Sequence, residues 1–216
     1  MAQTKGFFIA FEGGEGVGKT TQVPLVAEII RKRGYEVITT REPGGTDVGN
    51  EIRQILLGGH ANKISALTEV LLFTAARAHH VERVIKPALA EGKVVISDRY
   101  SGSSYAMQGY AAGGIGVEKV EELYRFAMGD FVPDLSIVFD LPKDKSQGDV
   151  TDPNRMEAKG AEWLKSCAEG FRDMARRYPE RVKILPYSWG DIADKTQQIM
   201  HIIDTAFLTT PLPPLE

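Results

Sequence analysis

Residues 7–21, FFIAFEGGEGVGKTT, constrain the fold more than any other stretch of this chain. The apolar run Phe7 to Phe11 reads as a buried strand, and a helical pattern begins at Lys19. Between them, Gly13 to Thr20 fits GxxxxGK[ST], the pattern of a phosphate-binding loop. Glycines let the backbone curl with positive φ, so that consecutive N–H groups point inward at an anion. A helix that starts where the loop ends adds the positive end of its dipole. On this reading Gly13, Gly14, Glu15, Gly16, Val17, Gly18, Lys19, Thr20 and Thr21 hold the phosphates of a nucleotide. Lys19 supplies a full charge for the β- and γ-phosphates, and Thr20 offers a hydroxyl to Mg²⁺. The alternative is a glycine-rich turn with no ligand. The strand before the loop and the helix after it supply the context that the motif requires.

Five short apolar runs stand out: Phe7–Phe11, Glu36–Thr40, Val94–Ser97, Leu135–Phe139 and Val182–Leu185. Helical patterns separate them, which predicts βαβ units and a parallel sheet, hence an α/β fold. Helices are expected over about Lys19–Arg33, Val48–Leu57, Ser65–Ala90, Val117–Met128, Met156–Tyr178 and Ile192–Phe207. Pro24 is expected to distort the start of the first, and Pro87 to kink the last turn of the third. Residues 143–155, KDKSQGDVTDPNR, are polar and turn-forming, and read as a surface loop or as a lid over the strand ends. Residues 1–208 therefore form a single domain, with a proline-rich tail at 209–216.

The formal net charge of −3 argues against a broad nucleic-acid surface, so no nucleic-acid partner is expected. A single cysteine, Cys167, excludes an intramolecular disulfide and suits a reducing, cytoplasmic setting. Cys167 itself reads as a small buried or half-buried hydrophobe. No apolar run reaches membrane-span length, and the N-terminus lacks a signal-peptide core. The four histidines show no metal-site spacing and read as surface or helix residues.

Several separate segments resemble one family. They are FEGGEGVGKTT at 11–21, TREPGGT at 40–46, EIRQILL at 51–57, LLFTAAR at 71–77, DRYSGSSYAMQG at 98–109 and GDFVPDLSIVFDL at 129–141. Together they are similar to thymidylate kinases of the bacterial type. The resemblance runs from about residue 7 to residue 141 and is loose beyond. It implies a P-loop NTPase fold with a five-stranded parallel sheet flanked by helices, and a short lid. It also implies a homodimer, and transfer of the ATP γ-phosphate to thymidine monophosphate. A kinase for another nucleoside monophosphate and a catalytically weak nucleotide-binding scaffold are the competing readings. A GTPase switch would need an NKxD-type motif, which the chain lacks.

The resemblance also assigns roles. Asp98, at the end of VVIS, would join Thr20 in orienting Mg²⁺ or its waters; a turn cap is the other reading. Glu12, just before the loop, would pair with an arginine or a Mg²⁺ water near the acceptor phosphate. Arg53 and Arg99 would grip that phosphate, because guanidinium forks match phosphate oxygens in pairs. Arg53 could equally lie on a solvated helix face. Phe73 and Arg77 are four apart in a helical pattern, hence on one face. The ring would stack on the pyrimidine while Arg77 donates to O4, where cytosine carries a donor of its own. Core packing is the plainer reading of Phe73. Ser104 and Gln108, also four apart, would lie near N3 of the base.

The chain departs from the family pattern in three respects. Met107 stands where tyrosine is common and Gly102 where aspartate is frequent. Met107 would weaken discrimination against the ribose form, or leave it to Tyr105. The phosphate loop carries no arginine, so the cation on the transferring phosphate falls to the lid. Arg155 in NRME is the candidate there, with Lys143 or Lys145 assisting, and a helix-start surface charge is the alternative. Trp163 repeats no motif and reads as packing.

Overall fold

Strand β1, Phe7–Gly13, is buried along its whole length, as a strand covered on both faces must be. The computed structural model describes residues 6–58, 64–141, 159–186 and 191–209, the side chains of the last two excepted. The expected lid, with Lys143, Lys145 and Arg155, lies outside the described residues, as does the tail from 210 onward. β1 lies at the centre of a five-stranded sheet with β2 (Val37–Arg41), β3 (Val94–Asp98), β4 (Leu135–Phe139) and β5 (Val182–Leu185), in the order β2-β3-β1-β4-β5. Every pair is parallel.

Alternation along β1 builds two cores. Phe7, Ile9 and Phe11 pack with Val26 and Ile30 of α1 (Lys19–Lys32) and with Ile199 and Ile203 of α8 (Ile192–Thr209). Phe8 and Ala10 face the other way, onto Val81, Ile85, Leu89 and Tyr100. Register then decides the site. Phe11 lies beside Asp98, and Asp98 beside Arg41. The C-terminal ends of three adjacent strands thus deliver Glu12, Arg41 and Asp98 to one edge. The chain reverses its strand order between β1 and β3, where open α/β sheets bind ligands.

The remaining helices differ from expectation in instructive ways. α2 (Asp47–Leu57) starts at Thr46, whose side chain accepts the Gly49 N–H. The long helix expected over 65–90 is interrupted. α3 (Ala66–His80) is capped by Ser65 and passes into a π-helical stretch, Val81–Ile85, before α4 (Lys86–Ala90). Pro87 opens α4, so a residue with no N–H to donate follows the widened turns. A short α5 (Ser101–Ser104) and a second π-helical stretch, Tyr105–Tyr110, were not expected as helix. α6 (Val117–Met128) falls as expected, and α7 runs Ala161–Arg177. Pro24 is accommodated inside α1.

Candidate active site

The loop after β1 adopts the conformation its glycines permit: Gly13, Gly16 and Gly18 have φ of 132°, 69° and 96°. Gly18 is the N-cap of α1, with no side-chain cap on the helix and no acidic residue in its first turn. The first N–H groups are therefore left for an anion. Lys19 is buried, and its ammonium folds back onto the carbonyls of Gly13 and Gly14. Burial, then the neighbouring charge of Arg99, pushes it down to about 7. The Thr20 hydroxyl donates to Asp98 at 2.8 Å, which joins the two oxygen groups expected at the cation.

Arg99 follows Asp98 in a left-handed conformation, φ 71°, outside the favoured region of a residue with a Cβ. Such strain costs on the order of 1–3 kcal/mol and persists only where the surroundings impose it. Here the Arg99 N–H donates to Phe11 O at 2.8 Å, and the guanidinium donates to Gly13 O and Ser103 Oγ at 2.7 and 3.1 Å. It also pairs with Glu15 at 2.7 Å. Against the cost of burial, Arg99 and Lys19 hold the Glu15 carboxyl below its ordinary value.

Glu12 is fully buried, but its direct partners are not the expected arginine. It accepts the Tyr100 N–H at 3.0 Å and the Ser103 hydroxyl at 2.7 Å, while Arg99 and Arg77 act on it only at longer range. Burial raises its carboxyl above the ordinary value. Glu12 therefore fastens the turn that carries Arg99. Gly102 sits against it: a Cβ there would stand 2.8 Å from Glu12 Oε1 and 2.8 Å from Met174 Cε. The departure from aspartate at 102 thus has a steric counterpart in this chain.

A cavity of about 190 Å³ leads from the loop, at Gly14, Glu15 and Thr20, past Asp98 and Arg99. Arg53, Phe73, Arg77, Ser104 and Gln108 line it as well, with Arg53 in electrostatic reach of Glu15, Asp98 and Arg99, so every residue proposed for the acceptor comes together. Arg53 donates to Pro43 O at 2.9 Å, and burial with the nearby Arg41 lowers its pKa. It is not a purely solvated charge. Phe73 is half-buried and lines the cavity, which distinguishes it from a closed core residue. Met107 also lines it.

Arg77 is more committed than a free donor. It is buried, with Nε on Glu42 at 2.7 Å, Nη1 on Ser104 Oγ at 3.2 Å and Nη2 on Tyr100 O at 2.9 Å. Despite its burial, Glu42 raises its pKa. The second Glu42 oxygen meets His80 Nδ1 at 2.9 Å, and His80 Nε2 meets Thr40 Oγ1 at 2.7 Å. His80 is thus a buried bridge, not a surface residue. Two of a guanidinium's five N–H groups remain for a ligand.

Sequence reasoning missed three features. α7 forms a wall of the cavity through Trp163, Leu164, Cys167 and Ala168, so Trp163 is more than packing. Cys167 in that wall is buried, as expected of a small hydrophobe, and burial pushes its thiol up to about 12. Glu42 is a buried carboxylate in the cavity wall, and Glu69 is one behind it. Each left a signal: Glu69 is the lone acid in LTEVLLF, and Glu42 lies between the charge of Arg41 and a proline.

A parallel sheet with a phosphate loop after its central strand, and an arginine-lined cavity that runs on from that loop, define a P-loop NTPase. The thymidylate kinase family model matches residues 11–199. A thymidylate kinase of Shouchella clausii is 42% identical over 211 residues, covering 95% of this chain and 98% of that protein. One from a Synechococcus strain is 43% identical over 175 residues, 81% and 84% of the two chains. The crystal structure of thymidylate kinase from Ehrlichia chaffeensis superposes with a TM-score of 0.76 at 31% identity, covering 93% of this chain and 99% of that one. The chain belongs to the thymidylate kinase family.

Proposed function

We propose that this chain transfers the γ-phosphoryl group of ATP to thymidine monophosphate. The observation that carries the reading is the continuous cavity, with a phosphate loop at one end and an aromatic–guanidinium face at the other. In-line transfer forms a bond from an oxygen of the acceptor phosphate to the γ-phosphorus as the bond to the β-phosphate oxygen breaks. ADP and thymidine diphosphate leave. Little covalent work falls to the protein, so positioning and charge neutralisation carry the rate. The loop amides and Lys19 hold the donor. Arg53 and Arg99 hold the acceptor phosphate, Phe73 stacks on the base, and Arg77 donates to O4. Ser104 and Gln108 meet the N3 edge.

Thr20 and Asp98 fit a hard cation, since they place a hydroxyl and a carboxylate 2.8 Å apart at the mouth of the loop. Among the described residues no cluster of three or more His, Cys, Asp or Glu could hold a metal by itself. That suits Mg²⁺ carried largely by phosphates and water. When bound, it neutralises charge on the β- and γ-phosphates. Arg155, outside the described residues, is the proposed lid cation. Arg155→Ala should lower kcat far more than it raises KM for thymidine monophosphate, and a near-unchanged kcat removes the assignment.

A homodimer fits the exposed apolar side chains Val48, Ile55, Leu67, Leu71 and Phe126 on α2, α3 and α6, helices that pack side by side. Among the described residues no helix is long and apolar enough to cross a membrane. Coupled measurement of ADP release across nucleoside monophosphates tests the function. Release dependent on thymidine monophosphate is expected. Acceptor-independent hydrolysis would indicate a switch, binding without turnover a scaffold, and preference for another base another kinase.

A further inference from the structure

The base end of the cavity contains a side chain whose polarity is set from behind. Gln108 lines the cavity and is buried, and its Nε2 donates to Glu69 Oε2 at 3.1 Å. Glu69 does not line the cavity. It is held in turn by Lys159, whose ammonium stands 3.0 and 3.2 Å from its two oxygens and 4.8 Å from the Trp163 ring centre. A primary amide can present either its oxygen or its NH₂ to a ligand, and the two ends are nearly the same shape. A carboxylate paired with an ammonium accepts only. Glu69 therefore claims the NH₂ end of Gln108, and the carbonyl oxygen is the end turned to other partners.

We propose that Glu69, held by Lys159, is a positioning residue that locks the Gln108 amide with its oxygen towards the base and so selects a ring N–H over a ring nitrogen acceptor. The inference rests on the proposed function and deepens it. Thymine carries N3–H beside the O4 acceptor. Cytosine carries a bare N3 beside an amino group. The donors left on Arg77 and the fixed oxygen of Gln108 form a donor–acceptor pair that matches the first pattern and opposes the second. Arg77 alone would discriminate at one atom. A rotatable amide would add nothing, because it would turn to suit either base. A fixed one adds a second mismatch, and unpaired buried polar groups are what make such rejection large.

The device needs no contact between Glu69 and the nucleotide, so its loss has a signature unlike that of a phosphate-gripping residue. Glu69→Gln keeps the shape but can accept from or donate to Gln108. It should raise KM for thymidine monophosphate about tenfold and leave kcat within about threefold. The preference for thymidine over deoxycytidine monophosphate, in kcat/KM, should fall about tenfold. In a Gln108→Leu background the same substitution should leave that preference unchanged, because the amide through which it acts is gone. An unaltered preference in Glu69→Gln overturns the assignment. So does a fall that persists in the Gln108→Leu background, since that marks a merely structural role. Absence of thymidine monophosphate turnover in the unsubstituted chain would overturn the function itself, and this assignment with it. If Glu69→Gln does not fold, the side-chain amide resonance of Gln108, identified by its loss in Gln108→Leu, gives the answer. Slow exchange of its proton with solvent is expected, and exchange as fast as a free amide defeats the proposal.

Discussion

The two ends of the cavity are built by opposite means. The proposed donor end is a contiguous loop, Gly13 to Thr21, whose backbone groups would face the phosphates and whose one buried cation, Lys19, sits on the loop's own carbonyls. The acceptor end is assembled from side chains on α2, α3, the β3–α5 turn, the Tyr105–Tyr110 stretch and α7. Carboxylates brace it: Glu12 holds Arg99's turn, Glu42 holds Arg77 and Glu69 holds Gln108. A cradle of amides needs only local geometry. A surface that reads a base needs each side chain held at a set angle, and here buried acids do the holding.

Substitutions should separate the two ends. Glu42→Gln strips the counter-charge from buried Arg77, and breaking such a pair costs about 3–5 kcal/mol. For a chain of this size the melting temperature should fall on the order of 10 °C. A melting temperature within about two degrees of the unsubstituted chain would mean that the pair does not hold the acceptor end. Lys19→Met should do the reverse, lowering kcat about 10²–10³-fold with no loss of stability. Steady-state kinetics beside thermal melts check both halves, and a destabilised Lys19→Met would erase the contrast. Gly102→Asp should cost about 1–3 kcal/mol by crowding Glu12 and Met174, read as a shifted urea midpoint. An unshifted midpoint would show that the turn has room.

Lys19 also makes a prediction about pH for the nucleotide-free protein. Its folded value is about 7 against an ordinary 10.5, so between the two the unfolded chain binds more protons. Stability should therefore rise with pH above about 7. Saturating Mg-ATP, or Lys19→Met, should flatten that rise, and urea midpoints across the range would show it. The smallest effect is expected at Met107, which lines the cavity. Met107→Tyr should increase the preference for deoxy- over ribo-thymidine monophosphate a few-fold, about 0.5–1 kcal/mol. An unchanged ratio would leave sugar selection to other groups.

The same division explains what could be read in advance. The loop was legible because eight adjacent residues carry the whole message. The strands were legible because parallel strands buried on both faces are continuous apolar runs, as in Val94, Val95 and Ile96. The helix of α7 was expected but its part in the cavity was not, because Trp163 and Cys167 at helical spacing look like any apolar face until the fold shows what that face covers. Glu42 and Glu69 were missed for a different reason. Their partners lie 35 and 39 residues away, so the local hint each leaves does not say which side chain it holds. The break in the 65–90 helix was hidden too, since Val81–Ile85 keeps an apolar pattern while the hydrogen bonds widen.

Arg77 and His80 rise from one helix and grasp the same Glu42 at the end of β2. The face proposed for the base is thereby riveted to the sheet edge that carries Asp98 and Arg99. Such a frame acts as a ruler. On the proposed function, a mononucleotide seated on Phe73 would have its phosphate delivered at a set span, whereas a bare nucleoside would fall short of the donor and a diphosphate would overrun it. Choice of acceptor by length would then be written into the skeleton of the molecule, apart from any recognition of the base.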